Sequence, residues 1–528
     1  MVTTARNEAC EVPEVRQIVA RIRTMKAVAA IVALGVVAAA LLFWRLSLQF
    51  RPGNAHALDG IVTHPIPETL VLQHVAVWDG VGDTANPDRS VIVRDGRIAA
   101  IVRADQPPPP EARVIDGGGK TLIPGLIDTH VHLLSDSGPE LLTQRTALMR
   151  KWLAQTRKYP EGREDIVRRG QLKLKAGVTT MRILGDGYYA LRYRDDVARW
   201  DVVGPRVLAA GVHVNGPDGY VSGGIASGLS PQERAESALE LRTFEEIEPK
   251  VREHIARGID VVKIATTHGD IGFADARPDL PEAWVRRIVE VAHEAGLRVT
   301  AHSYGEQGDW AAVRGGVDGI EHLVNVPHPL PDDLVAEIAQ RGIYVCPTLA
   351  GSAYSVVTLL RFPERLYEDD SLVANVDVAV RKDLYLALRL LKVPGVARVM
   401  MRQDRPLDRW ELWLRESLAN TRKLHDAGVR LIFGTDTPFA FGNFFHSVMN
   451  EVHGLKEAGL SNLAILRMAT IEAARALEID DRVGTLEPNK TADMILLPAN
   501  PLEDIEALAS VELVIKEGRV VYDNMRTR

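Results

Sequence analysis

Apolar and polar positions divide the chain into three kinds of segment. Ala27 to Trp44 is an uncharged run rich in Ala, Val and Leu, and eighteen helical residues at about 1.5 Å each span roughly 27 Å, close to the hydrocarbon thickness of a bilayer. From Thr69 to Lys120 short apolar runs alternate with turn signals: Leu70 to Trp78, Ser90 to Val93, Arg97 to Val102 and Arg113 to Ile115, with Asp95-Gly96 reading as a hairpin and Pro107 to Pro110 as a rigid loop. Matching runs close the chain, Ala492 to Leu497, Val511 to Lys516 and Arg519 to Tyr522, the last two joined by Glu517-Gly518. Such β pieces at opposite ends commonly pair, which predicts one composite β-sandwich subdomain from residues 69–121 and 484–528.

Between these ends one beat repeats. A helical stretch ends in glycine and a short β-branched run follows, at Gly177, Gly258, Gly296, Gly316, Gly342 and Gly428. Glycine just past a helix takes the left-handed conformation that ends it, so each is a helix-to-strand joint. Strands alternating with helices predict a parallel sheet, with strands near Gly125 to His132, Thr179 to Leu184, Arg206 to Val212, Val261 to Ala265, Arg298 to His302, Gly319 to Leu323, Tyr344 to Pro347 and Leu431 to Asp436. Eight strands suggest an α/β fold of the closed (β/α)8 TIM-barrel type over residues 122–483. An open doubly wound sheet would place a Gly-rich phosphate loop after its first strand, whereas Gly117-Gly118-Gly119 precedes it. After the seventh strand about sixty residues, 350–409, carry helical patches, Val376 to Leu391 the clearest. A connection of that length reads as a lid or as a helical insertion on the rim.

Charge places the apolar run. Arg16, Arg21, Arg23 and Lys26 precede it and Arg45 and Arg51 follow, so residues 1–26 read as a cytoplasmic tail, 27–44 as one transmembrane signal anchor and 45–68 as a linker, although Glu8, Glu11 and Glu14 dilute the bias. A cleaved signal peptide and a buried core helix compete, but the polar leader is long for a signal peptide and Ala55-His56-Ala57 lies far past the run. The expectation is a single-pass membrane protein with a periplasmic or extracellular catalytic part. The chain as a whole, 528 residues with 46% apolar and 25% charged positions, is ordinary for a globular protein, and a net charge of -7 without a Lys/Arg stripe excludes nucleic acid as a partner. Two cysteines, Cys10 and Cys346, exclude a disulfide framework and argue against thiolate metal ligation.

The chemistry concentrates at strand ends. In Pro124-Gly125-Leu126-Ile127-Asp128-Thr129-His130-Val131-His132 the residues at i and i+2 share a face, so His130 and His132 project together from the end of the first strand. That end of a barrel carries the active site. The fourth strand ends Val261-Val262-Lys263-Ile264-Ala265, the fifth Thr300-Ala301-His302, the sixth Gly319-Ile320-Glu321-His322 and the eighth Phe433-Gly434-Thr435-Asp436. By parity Lys263 faces inward, an anomaly unless it is paired or modified. Each residue alone has a plain structural use: a core histidine, a salt-bridging lysine, a helix-capping aspartate. Four histidines, a lysine and an aspartate in this order could jointly surround a pair of divalent ions.

With these motifs the chain resembles the amidohydrolase superfamily, in its branch of imidazolonepropionase-like proteins and exported, prolidase-like Xaa-dipeptidases. The resemblance rests on the first-strand signature, on Asp260-Val261-Val262-Lys263, on Gly434-Thr435-Asp436 and on the return from Ala473-Ala474-Arg475 through Gly484-Thr485-Leu486-Glu487-Pro488 to Asp493, and it covers about Thr69 to Tyr522. It implies a binuclear site, usually zinc: His130, His132 and Asp436 on the more buried ion, His302 and His322 on the more exposed one, and Lys263, carboxylated by carbon dioxide, bridging both. It further implies hydrolysis of a C–N amide bond in a small-molecule substrate, a dipeptide or cyclic amide, by metal-bridged hydroxide, with Asp436 as the proton-transferring catalytic residue. Tyr220 and Arg182 are candidate substrate contacts, with His213, His268 and Tyr304 behind them; a homo-oligomer is left open. Where many dipeptidases of this branch carry a Gly-Gly-His-Gly loop after strand three, this chain has Gly216-Pro217-Asp218-Gly219-Tyr220-Val221-Ser222-Gly223-Gly224. The rivals are a deaminase or lactonase on the same scaffold, against which Lys263 argues, and a non-catalytic barrel used as a binding module, in which ligands are usually lost.

Overall fold

The computed structural model describes residues 60–62, 69–133, 163–225, 235, 237–268, 277–351, 353–364, 385, 389, 406–437 and 447–525. The chain is an α/β protein with one mixed sheet and two parallel sheets. The mixed sheet joins both chain ends: β1 (Thr69–Val77), β2 (Asn86–Arg94), β3 (Arg97–Arg103), β4 (Arg113–Asp116) and β5 (Thr121–Pro124) with β17 (Met494–Leu497), β18 (Leu513–Lys516) and β19 (Arg519–Asp523), in the order β19-β18-β17-β5-β1-β2-β3 with β4 beside β1. Its hairpins turn where the sequence marks them. Asp95 and Gly96, and Glu517 and Gly518, all have positive φ, the two-residue turn whose twist suits antiparallel strands. Leu70, Leu72, Val91, Met494, Leu496 and Leu513 from both ends fill one core.

The parallel strands begin with β6 (Leu126–Val131), β7 (Val178–Ile183) and β8 (Arg206–Ala209). A second set runs β10-β9-β11-β14-β15-β16, from β9 (His213–Asn215), β10 (Ala238–Glu240), β11 (Val262–Ala265), β14 (Val299–His302), β15 (Gly319–Glu321) and β16 (Tyr344–Cys346), with a short hairpin of β12 (Thr267–His268) and β13 (Arg277–Pro278) beyond β11. β7, β11, β14, β15 and β16 are buried at every position, as strands covered on both faces require. The six glycine joints all have positive φ. Two predicted strands differ. Arg206 to Val212 stops at Ala209, because Gly211 turns the chain with φ 70° before β9 begins. Leu431 to Asp436 forms no regular strand: isolated parallel bridges join Leu431 to Val345 and Thr437 to Val131, and between them the Asp128 carboxylate takes the N–H of Thr435 at 3.0 Å, which a ladder partner would otherwise use.

The expected anchor at 27–44 lies outside the described residues, as do the tail, most of the linker and most of the 350–409 insertion, of which α7 (Ala353–Arg361) and the start of α8 (Pro406–Asp426) are seen. Among the described residues no helix is long and apolar enough to cross a membrane. On that finding the single-pass membrane localisation, with its periplasmic or extracellular catalytic part, is corrected: nothing in the structure supports it.

One buried charge ties the 431–437 segment to the first strand. Lys173, on α1 (Arg163–Lys175), holds its Nζ, with three N–H donors, within hydrogen-bond distance of four oxygens: Asp128 at 2.8 Å, Ser447 at 2.9 Å, Thr435 at 3.0 Å and Thr437 at 3.1 Å. Neither Lys173 nor Asp128 is accessible to water. Removing one partner of such a pair leaves the other buried and uncompensated. Lys173→Met is expected to lower the unfolding free energy by about 3–5 kcal/mol, and Asp128→Asn with Lys173→Met to lose less than the two single changes summed; strictly additive losses in denaturant titrations would sink the assignment.

Candidate metal centre

The C-terminal ends of the parallel strands bring His130, His132, Lys263, His302, His322 and Asp436 together. His130 Nε2 lies 3.3 Å from His132 Nε2, and each of these nitrogens lies 3.4 Å from Asp436 Oδ1. Three donors bound at about 2.0–2.1 Å around a tetrahedral zinc-like ion would stand about 3.3–3.4 Å apart. The triangle fits a cation. His322 lies with its ring centroid 4.7 Å from that of His130 and 4.8 Å from that of His302.

Each claw histidine is oriented by a carboxylate on another strand or loop. The Nδ1–H of His130 donates to Glu321 Oε2 at 2.8 Å, and that of His132 to Asp186 Oδ1 at 3.0 Å, which turns both Nε2 atoms toward Asp436. Leu133 N–H also donates to Asp186. His322 Nδ1 pairs with Thr348 Oγ1 at 2.8 Å. Histidine ligands commonly use the second ring nitrogen in this way. His322, Thr348 and Asp436 hold positive φ values of 72°, 52° and 52°, a costly conformation for side-chain-bearing residues that concentrates where the surrounding structure imposes it.

Lys263 and His302 are both buried, and among the described residues Lys263 Nζ and His302 Nε2 have no hydrogen-bond partner. Burial pushes Lys263 down to about 8, with Glu321 pulling the other way. Burial also holds His130, His302 and His322 well below the ordinary imidazole range, reinforced by the positive charge of Lys263 and by neighbouring imidazoles. Neutral imidazole is the ligating form. For His132 burial acts downward too, but hydrogen bonds to Asp186 and Asp436 outweigh it and it is pushed up to about 9: positive charge is favoured where the triangle would hold a cation. Burial raises the Asp436 carboxyl.

His130 also groups with Glu321 and Cys346, but this is a poor metal site. Glu321 is already shared among His130, Arg182 and Thr300, and burial pushes the Cys346 thiol well up, away from the thiolate a metal needs.

The remaining sequence candidates separate. Arg182, read as a substrate contact, is 5% exposed and committed elsewhere: Nε donates to the Thr129 carbonyl at 2.7 Å and Nη2 to Glu321 at 2.6 Å. Tyr220 is half-buried, its ring stacked on His302 with centroids 3.8 Å apart. Tyr304 is buried edge-on to the same imidazole at 4.9 Å, and His213 lies parallel to His132 at 6.3 Å. His268 sits farther out on β12, half-buried. Sequence reasoning missed Glu321, Asp186 and Thr348. Glu321 was findable by the test that flagged Lys263, a charge inside a short apolar strand; Asp186, in a Gly-Asp-Gly turn, and Thr348 carry no comparable signal.

A family model described as the amidohydrolase family matches residues 121–521. An uncharacterised protein of Mycobacterium tuberculosis is 26% identical over 82% of this chain and 93% of its own length, and an imidazolonepropionase of Geobacillus sp. (strain WCH70) is 25% identical over 83% of this chain and 91% of its own length. Among solved structures, a Xaa-Pro dipeptidase with methionine bound in its active site superposes with a TM-score of 0.62 at 23% identity, over 86% of this chain and all of the other. With a family match over most of its length on top of a histidine–aspartate cluster at its strand ends, the chain belongs to the amidohydrolase family, as a hydrolase acting on carbon–nitrogen bonds.

Proposed function

We propose that the chain is a binuclear metal-dependent amidohydrolase that cleaves a C–N amide bond of a small substrate, a dipeptide or cyclic amide. The observation that carries this reading is the triangle of His130 Nε2, His132 Nε2 and Asp436 Oδ1. His130, His132 and Asp436 would hold the more buried ion, His302 and His322 the more exposed one, with zinc the expected metal. Lys263 would bridge both as a carbamate: its neutral amine adds carbon dioxide and releases one proton, turning a costly buried ammonium into an anion. Its burial, its unpartnered Nζ and a pKa pushed down to about 8 support that step. The resemblance of relatives named imidazolonepropionase and Xaa-Pro dipeptidase supports the choice of cyclic amide or dipeptide.

The barrel reading belongs here as well: residues 122–483 as a closed (β/α)8 barrel beside a composite β subdomain of 69–121 and 484–528, supported by the bridges of Leu431 to Val345 and Thr437 to Val131.

Bound divalent ions lower the pKa of water toward neutrality and polarise a scissile carbonyl. The protein's own groups do the rest. Asp436, its carboxyl raised by burial, takes the proton of the attacking water and passes it to the leaving nitrogen. Glu321 and Asp186 keep the two claw imidazoles in the tautomer that offers Nε2. Tyr220, whose ring stacks on His302, would orient a substrate carboxylate or oxyanion.

Full-length chain purified without chelator is expected to carry about two divalent ions by elemental analysis, and its Lys263→Ala variant clearly fewer. One ion indifferent to Lys263 would favour a deaminase-like site, and none would revive a binding module. Asp436→Asn is expected to lower kcat on the best dipeptide or cyclic amide by about 10²–10⁴-fold. Glu321→Gln and Asp186→Asn should each weaken metal affinity by about 10–100-fold; affinities equal to wild type in chelator competition would remove the carboxylates from the site's design.

A further inference from the structure

The loop from Gly216 to Tyr220 is wrapped around one carboxylate. Asp279 follows β13, at the return of the hairpin that extends the lysine strand. Its Oδ1 accepts from Gly216 N–H at 2.6 Å and its Oδ2 from Tyr220 N–H at 2.8 Å. The wrap is close enough to forbid side chains. A Cβ on Gly219 would fall 2.4 Å from Asp279 Oδ2, and one on Gly216 2.8 Å from Oδ1. Asn215 closes the loop from its other side, Nδ2 donating to Gly216 O at 2.8 Å and Ser222 Oγ at 3.0 Å.

The same carboxylate-bearing residue meets His302 from the backbone side. Asp279 N–H donates to the Thr266 carbonyl at 2.8 Å, and Thr266 in turn donates from N at 3.0 Å and from Oγ1 at 3.2 Å to the His302 carbonyl. His302 is therefore held twice through one node: its main chain by Thr266, its ring by the Tyr220 face at 3.8 Å and 24°. A ring–ring contact of this kind fixes orientation and is sensitive to small displacements of either partner.

We propose that Asp279 is a positioning residue, whose carboxylate clamps the 216–220 loop so that Tyr220 stays stacked on His302 and fixes the aim of that imidazole. The proposal rests on the metal reading above, in which His302 is a ligand. It assigns the glycines at 216 and 219 the role of admitting the carboxylate. Together with those glycines, the β12–β13 hairpin that carries Asp279 sets the position of the loop beside His302.

The test uses the metal-loaded full-length protein and chelator competition, which reads each metal affinity without a substrate. Asp279→Asn, Gly219→Ala and Tyr220→Ala are each expected to weaken the weaker of two affinities by about 2–12-fold, the size of one aromatic contact, and to leave the tighter one unchanged. Asp279→Asn combined with Tyr220→Ala is expected to lose no more than Tyr220→Ala alone, because both act through one ring. Variants that lower Tm while leaving both affinities at wild type, or losses that add in the double variant, would overturn the positioning role. A wild-type chain that takes up no ion would overturn the metal reading and the clamp with it; two ions with indifferent variants would overturn the clamp alone.

Discussion

Glu321 is the charge on which the interior depends. It is 1% exposed and accepts hydrogen bonds from His130 on β6, Arg182 on β7 and Thr300 on β14 while itself lying on β15. Burial alone would push its carboxyl up, but Arg182 first and then Lys263 outweigh that and hold it below its usual range. Without this anion, the buried cations Arg182 and Lys263 would lose their shared counter-charge, and His130 would lose the bond that fixes its tautomer. A buried ion pair is weak evidence for stability, since desolvation offsets much of its attraction. Here the return is orientation: one carboxylate ties four strands together just beneath the candidate ligands.

The same logic explains why the segment carrying Asp436 is irregular. Thr129 donates to the Phe433 carbonyl from N at 2.9 Å and from Oγ1 at 2.8 Å, and Asp436 N–H donates to the His130 carbonyl at 2.8 Å. The segment is thus bonded to β6 on both sides of Thr435, whose own N–H goes to Asp128. Side-chain bonds replace the ladder at the one place where the backbone must leave extended geometry and hold Asp436 at φ 52°. The left-handed turn is what aims the carboxylate at the histidines.

Much of this was legible because the fold repeats and the chemistry sits at a fixed place in the repeat. Glycine joints located the strands, period-two parity faced Lys263 inward, and the histidine spacing on the first strand paired His130 with His132. What stayed hidden depends on contacts between distant segments. Arg182 reads as a strand-end cation free to meet a substrate, and only the pairing across the interior shows that Glu321 and the Thr129 carbonyl hold it. Asp279 lies fifty-nine positions from Tyr220, and no local pattern announces that one carboxylate serves two amides of another loop. The break after Ala209 was missed for a different reason: Gly211 reads equally well as a strand glycine, and its positive φ, with His254 and Tyr188 close to where a Cβ would stand, shows only in three dimensions.

Taken strand by strand, each candidate ligand histidine is aimed by a residue from somewhere else. Glu321 of β15 aims His130 of β6; the turn after β7 aims His132; Thr348, past β16, meets His322; Thr266, past β11, and Tyr220, past β9, flank His302. No strand therefore contains the geometry of its own ligand. The cluster is a property of the strands standing at fixed neighbours, so cohesion and chemistry share their supports: a change that loosens the Lys173 tie or the hairpin bearing Asp279 acts on ligand aim before it acts on any ligand atom. That coupling also favours burial of the supports, because a charged hydrogen bond shielded from water holds direction better than one in competition with solvent.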